Sequence, residues 1–373
     1  QPLKFKNKND MKIIYFHQYF STNKGSNGTR SFEFAKKLIQ NGHEVTVVCL
    51  NTDRSSYGKL NKNNKFNITE VEGIKVVEFN IKYSNSMGFL KRGIQFADYA
   101  YKSIRYCLGK NYDLVFCTST PLTAGIPGIF LKLSKGTPFI FEVRDLWPEL
   151  PRAMGIIKNK LIFNILKILE RLTYFSADHI IGLSPGICES FKNEGIPTNK
   201  ISFIPNFSDL DLFKPSVRSI DSKENKKFNA VFCGAHGIAN GLESVLNAAE
   251  ILKSENRKDI VFTFIGDGKM KNKLIEIADT KNLDNCFFLP PMPKFLLADY
   301  LKESTNIGLM ILKNIPAFYE GTSPNKFFDY ISSGLPVLIN YPGWISETIK
   351  KYNMGISVKP ENPSEFANGI KKI

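Results

Sequence analysis

The chain has 373 residues, of which 43% are hydrophobic and 12% aromatic, and these values predict a folded protein with two domains. Its formal net charge of +15 would suit an anionic partner, but the lysines are scattered along the chain, which argues against a nucleic-acid-binding protein. The six cysteines lie far apart without metal-ligand spacing, which argues against a structural metal site and indicates reduced thiols in a cytoplasmic protein.

No uninterrupted apolar run approaches the roughly 20 residues that span a bilayer. The opening QPLKFKNKND is polar and has no signal-peptide core. Residues 89–110 carry apolar side chains at helical spacing with lysine and arginine around them. We therefore expect no membrane-spanning helix, and two interpretations of residues 89–110 stay open. The helix either rests on an anionic membrane or simply covers a sheet.

Short β-rich segments alternate with amphipathic helical segments along the whole chain, as in parallel sheets covered by helices. The first series is KIIYFH, a helix at 30–40, EVTVVCL, DLVFCT, PFIFEV and DHIIGLS, and the second is NAVFCG, DIVFTFIGDG, NCFFLPP, NIGLMIL and LPVLIN. The pattern predicts an α/β protein with two doubly wound, Rossmann-like domains, at 11–205 and 228–373. We expect a linker at 206–227 and a ligand cleft where the strands end.

The loop after the first predicted strand is a candidate phosphate site. His17 ends that strand, and Gly25 and Gly28 precede the next helix, where backbone amides can approach a phosphate closely. The glycine spacing is not that of a dinucleotide fingerprint, although Asp53 follows the second strand as a ribose-binding acid would. The alternative interpretation is a plain strand-to-helix turn, with His17 in the core.

The segment 317–335, AFYEGTSPNKFFDYISSGL, predicts an anion site at the start of a helix. Ser323 is expected to cap the helix, with Pro324 in its first position. Free amides, the helix dipole and Lys326 would then face an anion, and Asp329 offers two acceptor oxygens to the hydroxyls of a ribose. Glu320 lies just upstream. The alternative is a helix that is merely well capped.

Several segments together resemble a known family. RDLWPE, IPNFSDLDLFKP and SPNKFFDY, in this order, resemble the retaining nucleotide-sugar glycosyltransferases of GT-B fold, family four of the glycosyltransferases. The resemblance is to the bacterial subgroup that builds O-antigen, capsule and colanic-type polysaccharides. It implies transfer of an amino or deoxy sugar from a nucleoside diphosphate, most commonly UDP. The implied acceptor is a glycan or a polyprenyl-diphosphate-linked glycan, and no cofactor or metal is expected.

The resemblance also implies roles in the second domain. Asp329 matches the acid that binds the ribose. Glu320 matches the acid at the donor sugar, although the eight residues between the two are one more than in the family pattern. His236 and Asn240 stand where the family often carries an arginine and a lysine for the diphosphate, so Lys326 and the helix ends must hold more of that charge.

In the first domain, Arg144 and Asp145 occupy the place of a His-Asp pair that touches the donor sugar in many relatives. The alternative for Arg144 is an ion pair with Asp145 or Glu149 that holds the loop. Rival functions are a sugar-nucleotide epimerase of the same fold and a basic protein that binds membranes or acidic polymers. Relatives of this fold usually continue, after the place of Ile373, into a helix that returns to the first domain.

Overall fold

The computed structural model describes residues 10–25, 28–50, 65–81, 87–215 and 227–373. These residues form two compact units, divided between Pro205 and Asn206. Each unit is a largely parallel sheet with helices on both faces, which confirms the predicted fold class.

The first unit contains an eight-stranded sheet. Its strands are β1 (Lys12–Phe16), β2 (Glu44–Leu50), β3 (Phe66–Val71), β4 (Ile74–Phe79), β5 (Leu114–Thr118), β6 (Phe139–Val143), β7 (His179–Gly182) and β8 (Ile201–Phe203). Their order is β3-β4-β2-β1-β5-β6-β7-β8, and only the β3–β4 pair is antiparallel. The central strands are continuous apolar runs because both faces of the sheet are covered.

Six helices cover this sheet in the described residues. They are α1 (Arg30–Gln40), α2 (Phe89–Cys107), α3 (Ile126–Lys135), α4 (Glu149–Ala153), α5 (Lys160–Ser176) and α6 (Pro185–Asn193). Tyr99, Leu131 and Tyr174 place α2, α3 and α5 on the same face as Phe16, whereas Phe32 places α1 on the other face. None of the helices in the described part of the chain is both long and apolar enough to cross a membrane.

The second unit contains a six-stranded parallel sheet in the order β11-β10-β9-β12-β13-β14. Its strands are β9 (Phe228–Cys233), β10 (Ile260–Ile265), β11 (Cys286–Leu289), β12 (Ile307–Met310), β13 (Val337–Ile339) and β14 (Gly355–Ser357). Its helices are α7 (Glu243–Ser254), α8 (Lys271–Thr280), α9 (Lys294–Ser304), α10 (Asn325–Ser332), α11 (Trp344–Lys351) and α12 (Pro363–Lys371). The candidate site of this unit lies at strands β9, β10 and β11 and at helix α10.

The segment predicted as a linker begins inside the second unit. The backbone N–H of Asn206 donates to Ser323 Oγ at 3.0 Å, and Ser208 Oγ donates to Asp329 Oδ1 at 2.9 Å. Asn206 and Ser208 are therefore hydrogen-bonded into this unit, and Phe213 packs in its core. Residues 216–226 of the predicted linker lie outside the described residues.

Candidate functional site

Two glycine turns form the carboxyl edge of the second sheet. Gly234 follows β9 with a φ of +137°, and Gly266 follows β10 with a φ of +149°. A Cβ atom on Gly266 would lie 1.9 Å from the carbonyl oxygen of Gly234, and one on Gly268 would lie 2.6 Å from the carbonyl oxygen of His236. Only glycine allows this packing of backbone against backbone. The edge consequently presents backbone groups, which a ligand can approach closely.

Helix α10 starts beside this edge, but not with the predicted cap. Its first residue is Asn325, Pro324 is the residue before it, and no side chain caps the helix. Ser323 Oγ instead accepts the backbone N–H of Asn206. The predicted capping role of Ser323, and the place of Pro324 inside the helix, are therefore wrong. A hydrogen-bond donor distant in sequence competes successfully for the serine oxygen.

Lys326 directs its ammonium group at the Gly234 turn. Its Nζ atom lies 3.7 Å from the centroid of the Phe232 ring. A Cβ atom on Gly234 would lie 3.3 Å from the same Nζ atom. Burial lowers the pKa of Lys326 from 10.5 to about 8. Lys326 forms no ion pair with a described carboxylate. The first turn of α10 thus holds a desolvated cation that an anionic ligand would stabilise.

Asp329 lies one turn further along α10 and is buried, with 3% of its surface exposed. Its Oδ2 atom forms an ion pair with Lys294 of α9, while Oδ1 accepts the hydrogen bond from Ser208. Each carboxylate oxygen therefore has one partner and can accept a further hydrogen bond, and the ribose-binding role stays a prediction. Neither partner was identified from the sequence, because each lies far from Asp329 along the chain.

His236 is fully buried beneath the glycine turns. Its ring lies 6.1 to 6.4 Å, centroid to centroid, from the rings of Phe232, Phe264 and Phe288, and neither ring nitrogen has a hydrogen-bond partner among the described residues. Burial, with the charges of two nearby lysines, lowers its pKa to about 4. The imidazole is neutral at neutral pH. A direct contact of this ring with the diphosphate stays a prediction.

Asn240 and Glu320 lie in two different loops of the second unit. Asn240 lies in a short 3₁₀ helix, and its Nδ2 atom donates to the carbonyl oxygen of Ala235 at 2.6 Å, which closes the loop after β9. Glu320 is exposed in the loop between β12 and α10. The backbone of its neighbour Tyr319 packs so closely on Gly343 that a Cβ atom there would lie 2.1 Å from the tyrosine carbonyl oxygen. The loop of Glu320 is thereby fixed, and the catalytic role of this acid stays a prediction.

The carboxyl edge of the first sheet holds His17 and Arg144. His17 is 3% exposed, and its Nε2 atom lies 3.3 Å from Arg144 Nη1. Burial, and secondarily the charge of Arg144, lower the pKa of His17 well below 6.5, so the ring is neutral. The structure thus brings together two residues that the sequence suggested separately, at the ends of β1 and β6.

The alternative role of Arg144, in a loop ion pair, is not observed. Glu149 pairs with Lys167 at 2.5 Å, and Asp145 accepts a hydrogen bond from Thr120 Oγ1 at 3.1 Å. Burial raises the pKa of Asp145, although the nearby charge of Arg144 opposes the rise. The backbone N–H of Arg144 donates to Ser119 Oγ, which fixes the backbone at this residue while its guanidinium faces the histidine.

The glycine loop of the first unit is only partly described. The N–H of Gly25 donates to the carbonyl oxygen of Thr22 at 2.9 Å, and Gly28 lies two residues before the first residue of α1. Asp53 lies outside the described residues. The phosphate-binding role of the two glycines therefore stays a prediction.

A buried ion pair at the same edge was missed in the sequence. Arg30, at the start of α1, pairs with Glu142 of β6 at 2.8 Å, and their side chains are 1% and 0% exposed. Its guanidinium also donates to the carbonyl oxygens of Ile204 and Pro205, at 2.9 and 2.5 Å. An acid inside the apolar strand FIFEV was the available signal, because a buried carboxylate needs a cation nearby.

Comparisons with known proteins agree with this architecture. Residues 28–212 match the family model Glycosyltransferase Family 4, and residues 214–373 match the model Glycosyl transferases group 1. The two matches together span nearly all of the chain. The protein is therefore a glycosyltransferase of the GT-B type, with its two domains drawn from these two families.

Three relatives illustrate the similarity. WcaI of Escherichia coli (strain K12), a glycosyl transferase named for colanic acid biosynthesis, is 22% identical over 383 residues, covering 97% of this chain and 92% of the relative. The structure of sucrose-phosphate synthase from Thermosynechococcus elongatus superposes with a TM-score of 0.72 at 15% identity, covering 97% and 89% of the two chains. Anabaena HepE in complex with UDP-glucose gives a TM-score of 0.67 at 15% identity, with the same coverage.

Proposed function

We propose that the protein is a retaining glycosyltransferase that moves a sugar from UDP to a glycan or lipid-linked acceptor during bacterial surface-polysaccharide synthesis. The observation that carries the proposal is the presence of both Lys326 and Asp329 on the first turns of α10. The half-buried ammonium group of Lys326, without a described carboxylate partner, lies at the carboxyl edge of a parallel sheet, and the buried carboxylate of Asp329 lies one turn away. That pattern suits a nucleoside diphosphate.

The donor would be held by charge and by close backbone approach. Lys326, the uncapped start of α10 and the turns at Gly234 and Gly266 would surround the diphosphate. Asp329 would accept hydrogen bonds from the ribose hydroxyls while remaining paired with Lys294. The complex of the similar HepE with UDP-glucose supports the choice of uridine.

The reaction would proceed on one face of the donor sugar. The bond between the anomeric carbon and the diphosphate oxygen breaks, and the acceptor oxygen bonds to that carbon from the same side. The acceptor proton passes to an oxygen of the leaving diphosphate. Lys326 and the helix start would stabilise the charge that develops there, which makes a metal ion unnecessary. Glu320, Arg144 and Asp145 would position the donor sugar, with neutral His17 orienting the guanidinium of Arg144.

The acceptor proposal follows from relatives and from the resemblance. The similarity to WcaI supports a growing surface polysaccharide, and an N-acetylated amino sugar or a deoxy sugar is the expected donor group. The family resemblance further implies a polyprenyl-diphosphate-linked glycan as the acceptor.

A thermal-shift panel of nucleotides and nucleotide sugars tests the donor site first. UDP and one UDP-sugar should raise the melting temperature, and the Lys326→Met variant should respond less. The stabilising sugar is then incubated with a lipid-linked acceptor in EDTA, and the configuration of the new bond is read by NMR. An inverted product refutes retention, and activity lost in EDTA refutes metal independence. Conversion of the donor without an acceptor would instead establish an epimerase.

A further inference from the structure

Helix α5 carries a continuous apolar stripe on its outer face. The five residues follow one another at intervals of four and three, which places them on one side of a helix. Each is between 52% and 67% exposed: Leu161, Ile165, Ile168, Leu172 and Phe175. The opposite side of the helix buries Glu170, Thr173 and Tyr174 against the sheet. The core of the unit therefore does not account for these five residues.

Two neighbouring helices also expose large apolar side chains. Helix α3 contacts both α2 and α5, and all three lie on the same face of the sheet. Leu133 of α3 is 77% exposed, as is Leu90 of α2, and Ile94 of α2 is 67% exposed. We call these residues, with the five of α5, the α2–α3–α5 surface. Soluble monomers seldom leave so many large apolar side chains exposed on adjoining elements.

The helices of this surface carry more cations than acids. The three helices contain nine lysine or arginine residues and only two acids, Asp98 and Glu170. Four of the nine cations are in ion pairs: Lys102 with Asp98, Lys132 with Asp178, Lys167 with Glu149, Glu170 and Glu194, and Arg171 with Glu194. Lys91, Arg105 and Lys160 are exposed and form no ion pair with a described carboxylate. Lys160 begins α5 and is exposed beside the stripe. Cations around an apolar centre complement the headgroups and acyl chains of an anionic bilayer.

A second copy of the chain fits the same surface poorly. Symmetric contact through this face would bring the excess positive charge of one copy against that of the other. In a bilayer with acidic lipids, the headgroups neutralise the cations and the acyl chains contact the apolar side chains.

We infer that the α2–α3–α5 surface docks the first unit on an anionic lipid bilayer, with the α5 stripe entering the region between headgroups and acyl chains. The surface extends the earlier expectation for residues 89–110, because α5 contributes more exposed apolar side chains than α2. Docking itself does not depend on the donor site. Only its purpose, delivery of a lipid-linked acceptor, rests on the proposed function.

Co-sedimentation of the full chain with vesicles tests the inference. Binding is expected to vesicles of phosphatidylcholine with phosphatidylglycerol and to be much weaker to phosphatidylcholine alone. The variant Ile165→Ser/Ile168→Ser should bind the anionic vesicles at least about tenfold more weakly, because two half-exposed side chains lose their apolar contact with the bilayer. The variant Phe287→Ser/Tyr352→Ser, which removes exposed aromatic residues of the second unit, is the matched control and should bind normally.

Further variants test the electrostatic part of vesicle binding and distinguish vesicle binding from UDP binding. Lys158 is exposed two residues before the start of α5. Lys158→Glu/Lys160→Glu should weaken binding to anionic vesicles, whereas Lys302→Glu/Lys372→Glu in the second unit should not. Stabilisation by UDP should be unchanged in Ile165→Ser/Ile168→Ser, and vesicle binding should be unchanged in Lys326→Met, so either proposal can fail alone. Failure of the parent to bind anionic vesicles, or equal binding by Ile165→Ser/Ile168→Ser, would overturn the inference. So would a parent dimer that this variant converts to monomers.

Discussion

Lys326 should make donor binding depend on pH above neutrality. Burial places its pKa at about 8, below the usual 10.5, so the side chain loses its charge as the pH rises through about 8. A diphosphate favours the charged form and would raise the pKa again on binding. Affinity should therefore be greatest below pH 8 and should fall above it.

The size of the effect follows from the same pKa. The fall from 10.5 to about 8 corresponds to at most about 3 kcal/mol of charging cost, which a bound diphosphate can return. If bound diphosphate restores the pKa of Lys326 to 10.5, UDP binds about tenfold more weakly at about pH 9 than at about pH 7. The neighbouring groups do not interfere, because burial raises the pKa of Cys233 from 9.0 and lowers that of His236 to about 4.

Isothermal titration of UDP at both pH values measures the effect. The Lys326→Met variant should bind weakly at each pH, and the ratio of parent to variant affinity cancels the titration of the nucleotide itself. Lys326→Arg keeps its charge at both pH values, so any affinity that it retains should not fall in this way. A parent-to-variant ratio that is equal at the two pH values would refute the assignment of Lys326 to the diphosphate.

Three further variants test the site and its support. Asp329→Ala should weaken UDP binding by about 1.5 to 3 kcal/mol through lost charge-assisted hydrogen bonds, and unchanged affinity in a folded variant would contradict the ribose role. Gly266→Ala should lower the free energy of unfolding by about 3 kcal/mol or more, since its Cβ would lie 1.9 Å from a carbonyl oxygen, whereas Gly237→Ala has open space and should change it by less than about 0.5 kcal/mol. Arg30→Met should cost about 3 to 5 kcal/mol in denaturant unfolding by leaving Glu142 buried without a cation, and adding Glu142→Gln should recover part of that cost.

Periodicity predicts the parallel sheets because their central strands are buried on both faces. The runs KIIYF and IVFTFI are apolar almost throughout, and each forms a central strand. The edge strands carry less signal. Strand β3, FNITEV, alternates between exposed and half-buried residues, and β14 has only three residues. Glu72 and Gly73 both have positive φ in the turn between β3 and β4, and this EG pair was the overlooked sign of the hairpin.

Local spacing explains which parts of the site were predictable. Lys326 and Asp329 lie three residues apart on one helix, so their proximity follows from the sequence. Lys294 reaches Asp329 from another helix, and Asn206 takes the oxygen of Ser323 from another segment. Tertiary partners of this kind leave no local pattern. The apolar stripe of α5 was equally hidden, because an amphipathic sequence does not tell which side of a helix the rest of the protein covers.

The partners of four cations separate structural from functional candidates. In the first unit, buried Arg30 is held by the carboxylate of Glu142, while Arg144 faces a neutral histidine. In the second unit, Lys294 is held by Asp329, while Lys326 faces an aromatic ring. Among the described residues, the second cation of each pair has no carboxylate partner, and for Lys326 the cost appears directly as a lowered pKa. A fold tolerates that cost when an anionic ligand removes it, so Arg144 in the first unit and Lys326 in the second are the cations that remain candidates for ligand binding.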